Sequence, residues 1–183
     1  MSGIVSGSQI DNSGVVGRYP TGHVRQVVQG AISDSDVNTS ATNTTGTIVA
    51  STTTATIENV QAGNNIWVTS NTPMRFYCNQ GVYIHSNIWL YWHTTGGSYA
   101  NVMGSGDGNT TSPYHLARYY IDENGDMPAG FYNDLMVPVN FMHKNVAAGT
   151  HNYKVYFHIS GTGTVQTCWN ELPGTMQLTE IEA

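Results

Sequence analysis

Seven histidines and two cysteines are the residues of this chain best suited to chemistry, and their spacing limits what they can do. His85 and His93, in "IHSNIWLYWH", have even separation and share one face of a strand. At the usual rise they sit roughly 27 Å apart, too far to hold one ion. His151 and His158, in "HNYKVYFHIS", have opposite parity and point to opposite faces. A metal site would need separate strands to bring ligands together. The plain reading is surface or hydrogen-bonded histidines on aromatic-rich strands, with no metal and no cofactor expected.

Other constellations are partial. In "DENGDMPAG", Asp122, Asn124 and Asp126 alternate as at the start of a calcium loop. Met127 then stands where glycine belongs and Asn133 where the closing glutamate belongs, and a β-turn tipped by Asn124-Gly125 explains the residues equally well. "GSGDGNT" (Gly104 to Thr110) has no following Lys and helix, so it is no phosphate cradle. "GGSYANVMGSGDG" offers no strand-to-helix elbow for a nucleophilic serine. Glu58 and Glu180 are the chief acids in strands, and no carboxylate pair for glycoside hydrolysis stands out. The chain is not expected to be an enzyme. Cys78 and Cys168 both fall in apparent strands; a bridge is open, and buried reduced thiols are favoured.

The elements that position these residues are strands. "HNYKVYFHIS" puts His151, Tyr153, Val155, Phe157 and Ile159 on one side and Asn152, Lys154, Tyr156 and His158 on the other, the period of a strand with one face on a core. In "GVYIHSNIWLYWH", Ile84, Ser86, Ile88, Leu90 and Trp92 share one face, and His85, Asn87, Trp89, Tyr91 and His93 the other. "GHVRQVVQ", "GTIVASTTTATIENV" and "NNIWVTS" read as strands, with a Thr/Asn/Ser/Asp loop from Ser33 to Thr45. "HLARYYI" fits a strand or one helical turn. "DLMVPVNFMH", "GTVQTCW" and "TMQLTEI" complete a meander, with Pro138 marking an edge strand or a bulge. Thr94 to Pro113 is a long glycine-rich loop. About ten short strands and no amphipathic helix predict an all-β fold, a single antiparallel jelly-roll or β-sandwich domain over residues 21–183. Residues 1–20 form a Gly- and Ser-rich arm whose Ile4, Val5, Ile10, Val15 and Val16 are expected to dock onto a neighbour in extended form.

Composition narrows the class further. Only 10% of residues are charged, against about 25% in ordinary domains. Six Lys and Arg against a net charge of −6 make no basic stripe, so nucleic acid is not an expected partner. No run of apolar residues is long enough for membrane insertion as a helix. The first residues lack a secretory signal, so an exposed surface implies a route other than ordinary secretion. The many aromatics, Trp67, Trp89, Tyr91, Trp92, Tyr99 and Trp169 among them, read first as packing and second as platforms for sugar rings.

Three stretches carry a resemblance: "SGVVGRYPTGHVRQVVQ" (Ser13 to Gln29), "TIENVQAGNNIWVTS" (Thr56 to Ser70) and "AGTHNYKVYFHISGTGTVQTCWNELPGTMQLTEIEA" (Ala148 to Ala183). Together they resemble small virion proteins of marine and cyanobacterial tailed phages. Arg25 departs from the aliphatic residue usual there, and the loop from Thr94 to Pro113 has no counterpart. The resemblance implies a jelly roll like the tumour-necrosis-factor fold, assembled as a homotrimer. It further implies a virion location, with assembly in the host cytoplasm. The expected function is a capsid decoration or head-fibre protein whose arm grips the major capsid protein or a neighbouring virion protein. The alternative is a tail-fibre or tail-tip protein that binds host surface glycans. The short stretch before the first strand favours the capsid.

Overall fold

β-Branched and aromatic residues at alternate positions extend the backbone here into strands longer than the sequence suggests. A computed structural model describes residues 21–30, 37–41, 47–78, 84–102, 116–121, 131–161, 163–168 and 172–183. Among them are β1 (Val24–Gln29), β2 (Val37–Ala41), β3 (Thr47–Val60), β4 (Asn65–Cys78), β5 (Ile84–Thr94) and β6 (Ala100–Asn101). β7 (Ala117–Ile121), β8 (Phe131–His143), β9 (Gly149–Gly161), β10 (Gly163–Thr167) and β11 (Thr175–Ile181) follow. "HLARYYI" is therefore strand, and the predicted loop from Ser33 to Thr45 contains β2, which pairs antiparallel with β10. Ladder hydrogen bonds to β10 override the low strand propensity of that polar segment.

All strand pairs are antiparallel, and they form two sheets. β10 and β11 lie end to end along one side of β4, on Met74 to Tyr77 and Asn65 to Asn71, while β8 runs along its other side. β1 and β2 flank β11 and β10 in turn. In the second sheet β3 pairs β9, β9 pairs β5, and β6 and β7 share the far side of β5. Counting β1/β2, β6/β7 and β10/β11 as single runs leaves eight. The first pairs the eighth, the second the seventh, the third the sixth and the fourth the fifth. A long hairpin wound into two sheets gives this order, the jelly roll. β8 pairs only β4 among the described residues, so Pro138 sits on an edge strand, where its missing N–H costs no ladder bond.

The core lies between the sheets. Ile66, Val68, Met74 and Phe76 of the first sheet meet Ile57, Ile84, Ile88, Leu90, Val155 and Phe157 of the second there, each almost wholly buried. Burying such side chains stabilises by about 1.5–3 kcal/mol apiece before entropy is counted. β3 carries a bulge: between the pairs Ala50–Tyr156 and Thr54–Lys154, three residues of β3 (Ser51, Thr52 and Thr53) face only Val155 on β9. The interrupted ladder is repaired by side chains. Ser51 Oγ donates to the Val155 carbonyl at 2.8 Å, and Thr72 Oγ1 donates to Thr53 Oγ1 at 3.0 Å. Gly174 is required beside this bulge, because a Cβ there would collide with the Thr53 side chain and touch Cys168 Sγ. Cys168 itself is a free, buried thiol, so no bridge joins it to Cys78.

Candidate interaction surface

Strand parity gives each sheet an outward face, and the two differ in kind. On the first sheet, odd-numbered β4 residues point outward beside even-numbered β8 residues. Val27, Thr179, Trp67 and Met142 stand in one row across β1, β11, β4 and β8. Next comes a row of neutral polar groups, Gln29, Gln177, Thr69 and Asn140, with Trp67 Nε1 donating to Asn140 Oδ1 at 2.6 Å. Pro73 then pairs with Met136, Arg75 with Asp134, and Tyr77 with Tyr132. Leu172 joins Pro73, Asp134, Leu135 and Met136 around a shallow apolar hollow of about 180 Å³.

Several of these large side chains face solvent. Trp67 is 41% exposed, Tyr132 55% and Met136 56%. The charges between them are paired. Arg75 Nε and Nη2 donate to Asp134 Oδ1 and Oδ2 at 2.6 and 2.8 Å, a two-pronged contact. That hydrogen bonding holds the Asp134 carboxyl below its ordinary range and raises the guanidinium. Arg75 also lies over the Tyr132 ring at 4.9 Å. Towards β1, Arg25 Nη1 donates to Glu182 Oε2 at 2.9 Å.

The outward face of the second sheet is closed around Trp89, while Thr56 on β3 stays exposed. Trp89 and His158 are wholly buried there, and Asn87, the register partner of His158, nearly so. Among the described residues, Trp89 Nε1, Asn87 Oδ1 and both His158 ring nitrogens have no hydrogen-bond partner. The His85 and His158 rings lie 6.0 Å apart, and Trp89 meets His158 edge-on at 5.8 Å. Burial, with His85 adding repulsion, pushes His158 down to about 4. Burial and the Arg118 charge lower His85. Farther along, Tyr91 and Tyr156 pack at 4.4 Å, and Lys154 approaches Tyr99 at 5.7 Å.

The inward face holds another histidine pair. His143 Nδ1 is 2.8 Å from Tyr153 Oη, and His151 Nε2 lies 2.8 Å from the Ala147 carbonyl oxygen. Trp92 meets His143 edge-on at 4.6 Å and stacks on His151 at 5.7 Å. Burial pushes His143 down to about 4, helped by His151, and raises Tyr153 well above the ordinary phenol range. Near β1, the buried Glu180 carboxylate accepts from Gln61 N at 2.9 Å, Asn64 Nδ2 at 2.7 Å and Gln26 Nε2 at 2.7 Å, tying β1 and the β3–β4 turn to β11.

The structure thus pairs histidines that sequence spacing kept apart, and His151 and His158 do point to opposite faces. Among the described residues no group of three or more His, Cys, Asp or Glu is placed to hold a metal ion. The docking residues Ile4, Val5, Ile10, Val15 and Val16 lie outside the described residues, as do Asp122, Asn124 and Asp126 and, in the loop from Thr94 to Pro113, everything from Met103 onward. The face bearing Trp67, Met136 and Tyr132 was not singled out from sequence. Its signal was the alternation in "NIWVTSNTPMRFYC" and "FYNDLMVPVNFMH", which sets large apolar residues opposite the core-facing ones.

No protein-family model matches this chain, and no curated protein matches it. Solved structures of infectious bursal disease virus overlap it loosely. The Gx strain is 13% identical with a TM-score of 0.36, over 89% of this chain and 37% of that one. The Gt strain is 12% identical with a TM-score of 0.39, over 89% and 39%. The VP2 subviral particle is 13% identical with a TM-score of 0.37, over 86% and 37%. The chain spans well under half the length of those it overlaps. The strand order itself defines the jelly roll.

Proposed function

We propose that this protein is a non-enzymatic structural component of a bacteriophage virion, a trimeric capsid decoration or head-fibre protein anchored through Ile4, Val5, Ile10, Val15 and Val16. The observation that carries the reading is the outward face of β4 and β8, which keeps Trp67, Tyr132, Met136 and Met142 in solvent with its charges internally paired. Trp, Tyr, Met and Arg are the residues enriched in protein interfaces, and large exposed apolar patches mark surfaces that are covered in use. The low charge of the chain and its phage-like sequence stretches supply the setting. Affinity then comes from buried area at contacts between copies, and several arms bound together raise avidity beyond one arm alone.

A second reading, a tail-fibre or tail-tip protein recognising host glycans, draws on Trp67 and Tyr132, whose exposed rings suit stacking on sugars. Copy number separates the two. Quantitative mass spectrometry of purified phage particles is expected to find this chain at a level comparable to the major capsid protein. A small fraction of that level moves the chain to a fibre or tail tip, and absence from particles overturns both.

A further inference from the structure

The outward face of β4 and β8 has an order along its length, and that order is its own complement. Position by position on β4, the face reads Trp67 with Val27 and Met142, then Thr69 with Gln177 and Asn140, then Asn71 with Pro138. It continues as Pro73 with Met136, Arg75 with Asp134, and Tyr77 with Tyr132. From Trp67 to Tyr77 this spans about 33 Å. Reversed about Thr72, the aromatic and apolar band at Trp67 falls on the aromatic band at Tyr77. The amide band at Thr69 falls on the Arg75–Asp134 ion pair, and Asn71–Pro138 falls on Pro73–Met136. Apolar groups meet apolar groups at the two ends and hydrogen-bonding groups meet inside them, while at the centre Pro138 meets Met136 and the Asn71 amide borders Pro73.

We infer that this face seats a second copy of the same chain, packed sheet on sheet with the strand directions of β4 and β8 reversed. Charge selects that occupant. The chain carries a net charge of −6, so two copies repel unless they meet where local charge is cancelled. Here Arg75 is bidentate to Asp134, and Arg25 pairs with Glu182. A strongly basic or acidic partner gains nothing from a face so neutralised. Pro138, exposed in the middle of β8, removes one backbone donor from that edge, which disfavours strand addition there and leaves side-chain packing across the face. The hollow bounded by Pro73, Met136 and Leu172 lies near the centre of the reversal, where a partner's side chain would fill it. Such a contact is two-fold and separate from a three-fold ring, so a trimer that also pairs in this way has six copies. The inference rests on the self-assembling reading above only for its setting.

Native mass spectrometry or light scattering on the purified full chain, at about 50 µM so that a micromolar contact is populated, tests it. The expected mass is an even number of copies. It should halve in Met136→Glu and in Trp67→Lys, both with thermal midpoints close to the parent, while Ser98→Glu, on a remote exposed turn, changes nothing. Register is read by mixing Met142→Cys chains with Tyr132→Cys chains under mild oxidation. The mixture should cross-link more than tenfold faster than either variant alone. A parent with an odd copy number, or charged variants that keep the parental mass, overturns the pairing. So does a monomeric parent whose fluorescence responds to an oligosaccharide only while Trp67 is present, which would give the face to a sugar. None of these outcomes depends on the copy number in particles, so the two proposals fail separately.

Discussion

Trp67 and Trp89 both point away from the core on long central strands, yet one is 41% exposed and the other wholly buried. Parity is the same and chemistry is the same; only what lies above the sheet differs. The open face around Trp67 satisfies its polar groups internally, through the Trp67–Asn140 hydrogen bond and the Arg75–Asp134 ion pair. The closed face around Trp89 leaves polar atoms of Trp89, Asn87 and His158 without hydrogen bonds among the described residues. A surface ready to be covered must need nothing further from water, whereas a face already covered can retain groups whose desolvation is offset by packing elsewhere.

The largest expected effect compares the two tryptophans. Trp89→Ala should cost about 3–5 kcal/mol, the range for a buried aromatic, whereas Trp67→Ala should cost under about 1 kcal/mol when assembly is prevented by dilution. Urea unfolding of both variants measures this, and equal losses would erase the distinction between the faces.

Acid sharpens the comparison next, because both strongly depressed histidines sit on or beneath β9 rather than on the open face. His143 and His158 have folded-state pKa values pushed from 6.5 to about 4. Between those limits the unfolded chain binds protons that the folded chain refuses, so stability falls as pH drops from 6.5 and levels off near 4. Allowing for partial solvent screening, the combined loss is on the order of 2 kcal/mol, or about 6 °C in thermal midpoint for a chain of this size. His158→Phe should flatten that slope by roughly half while leaving stability at pH 7 unchanged or raised, since two unpartnered nitrogens disappear. A midpoint independent of pH from 7 to 4 would contradict the assignment.

The smallest effect lies on the open face. Asp134→Asn breaks an exposed ion pair and should cost under about 1 kcal/mol at neutral pH. Asp134 has a depressed pKa, so whatever the pair contributes is present above pH 4 and lost as pH falls through the lower folded value. The difference between parent and Asp134→Asn in thermal midpoint should therefore shrink towards pH 3, the reverse of a histidine effect.

The all-β class and the faces of β5 and β9 were legible because period-two alternation is written locally, residue by residue. Trp92 and Trp89 show where that ends. Alternation placed Trp92 with the core, where it is half-buried, and sent Trp89 outward, where it is nonetheless buried. Alternation tells which residues share a face, never which face is covered. β2 reads as loop in sequence because its polar residues are held in a strand only by β10, more than a hundred positions away. The histidine pairs were invisible for the same reason: His85 and His158 meet across two strands, as do His143 and His151.

The central claim is that the β4–β8 face is open in the isolated chain and covered in use, while the Trp89 face is closed in both states. Oxidative footprinting with residue-level mass spectrometry tests it directly, on dilute free chain and on the assembled form. The account predicts rapid oxidation of Met136, Met142 and Trp67 in the free chain, at least severalfold protection of all three on assembly, and slow oxidation of Trp89 throughout. Oxidation of Met136 and Trp67 that is unchanged by assembly, or Trp89 reacting as fast as Trp67 in the free chain, would contradict it.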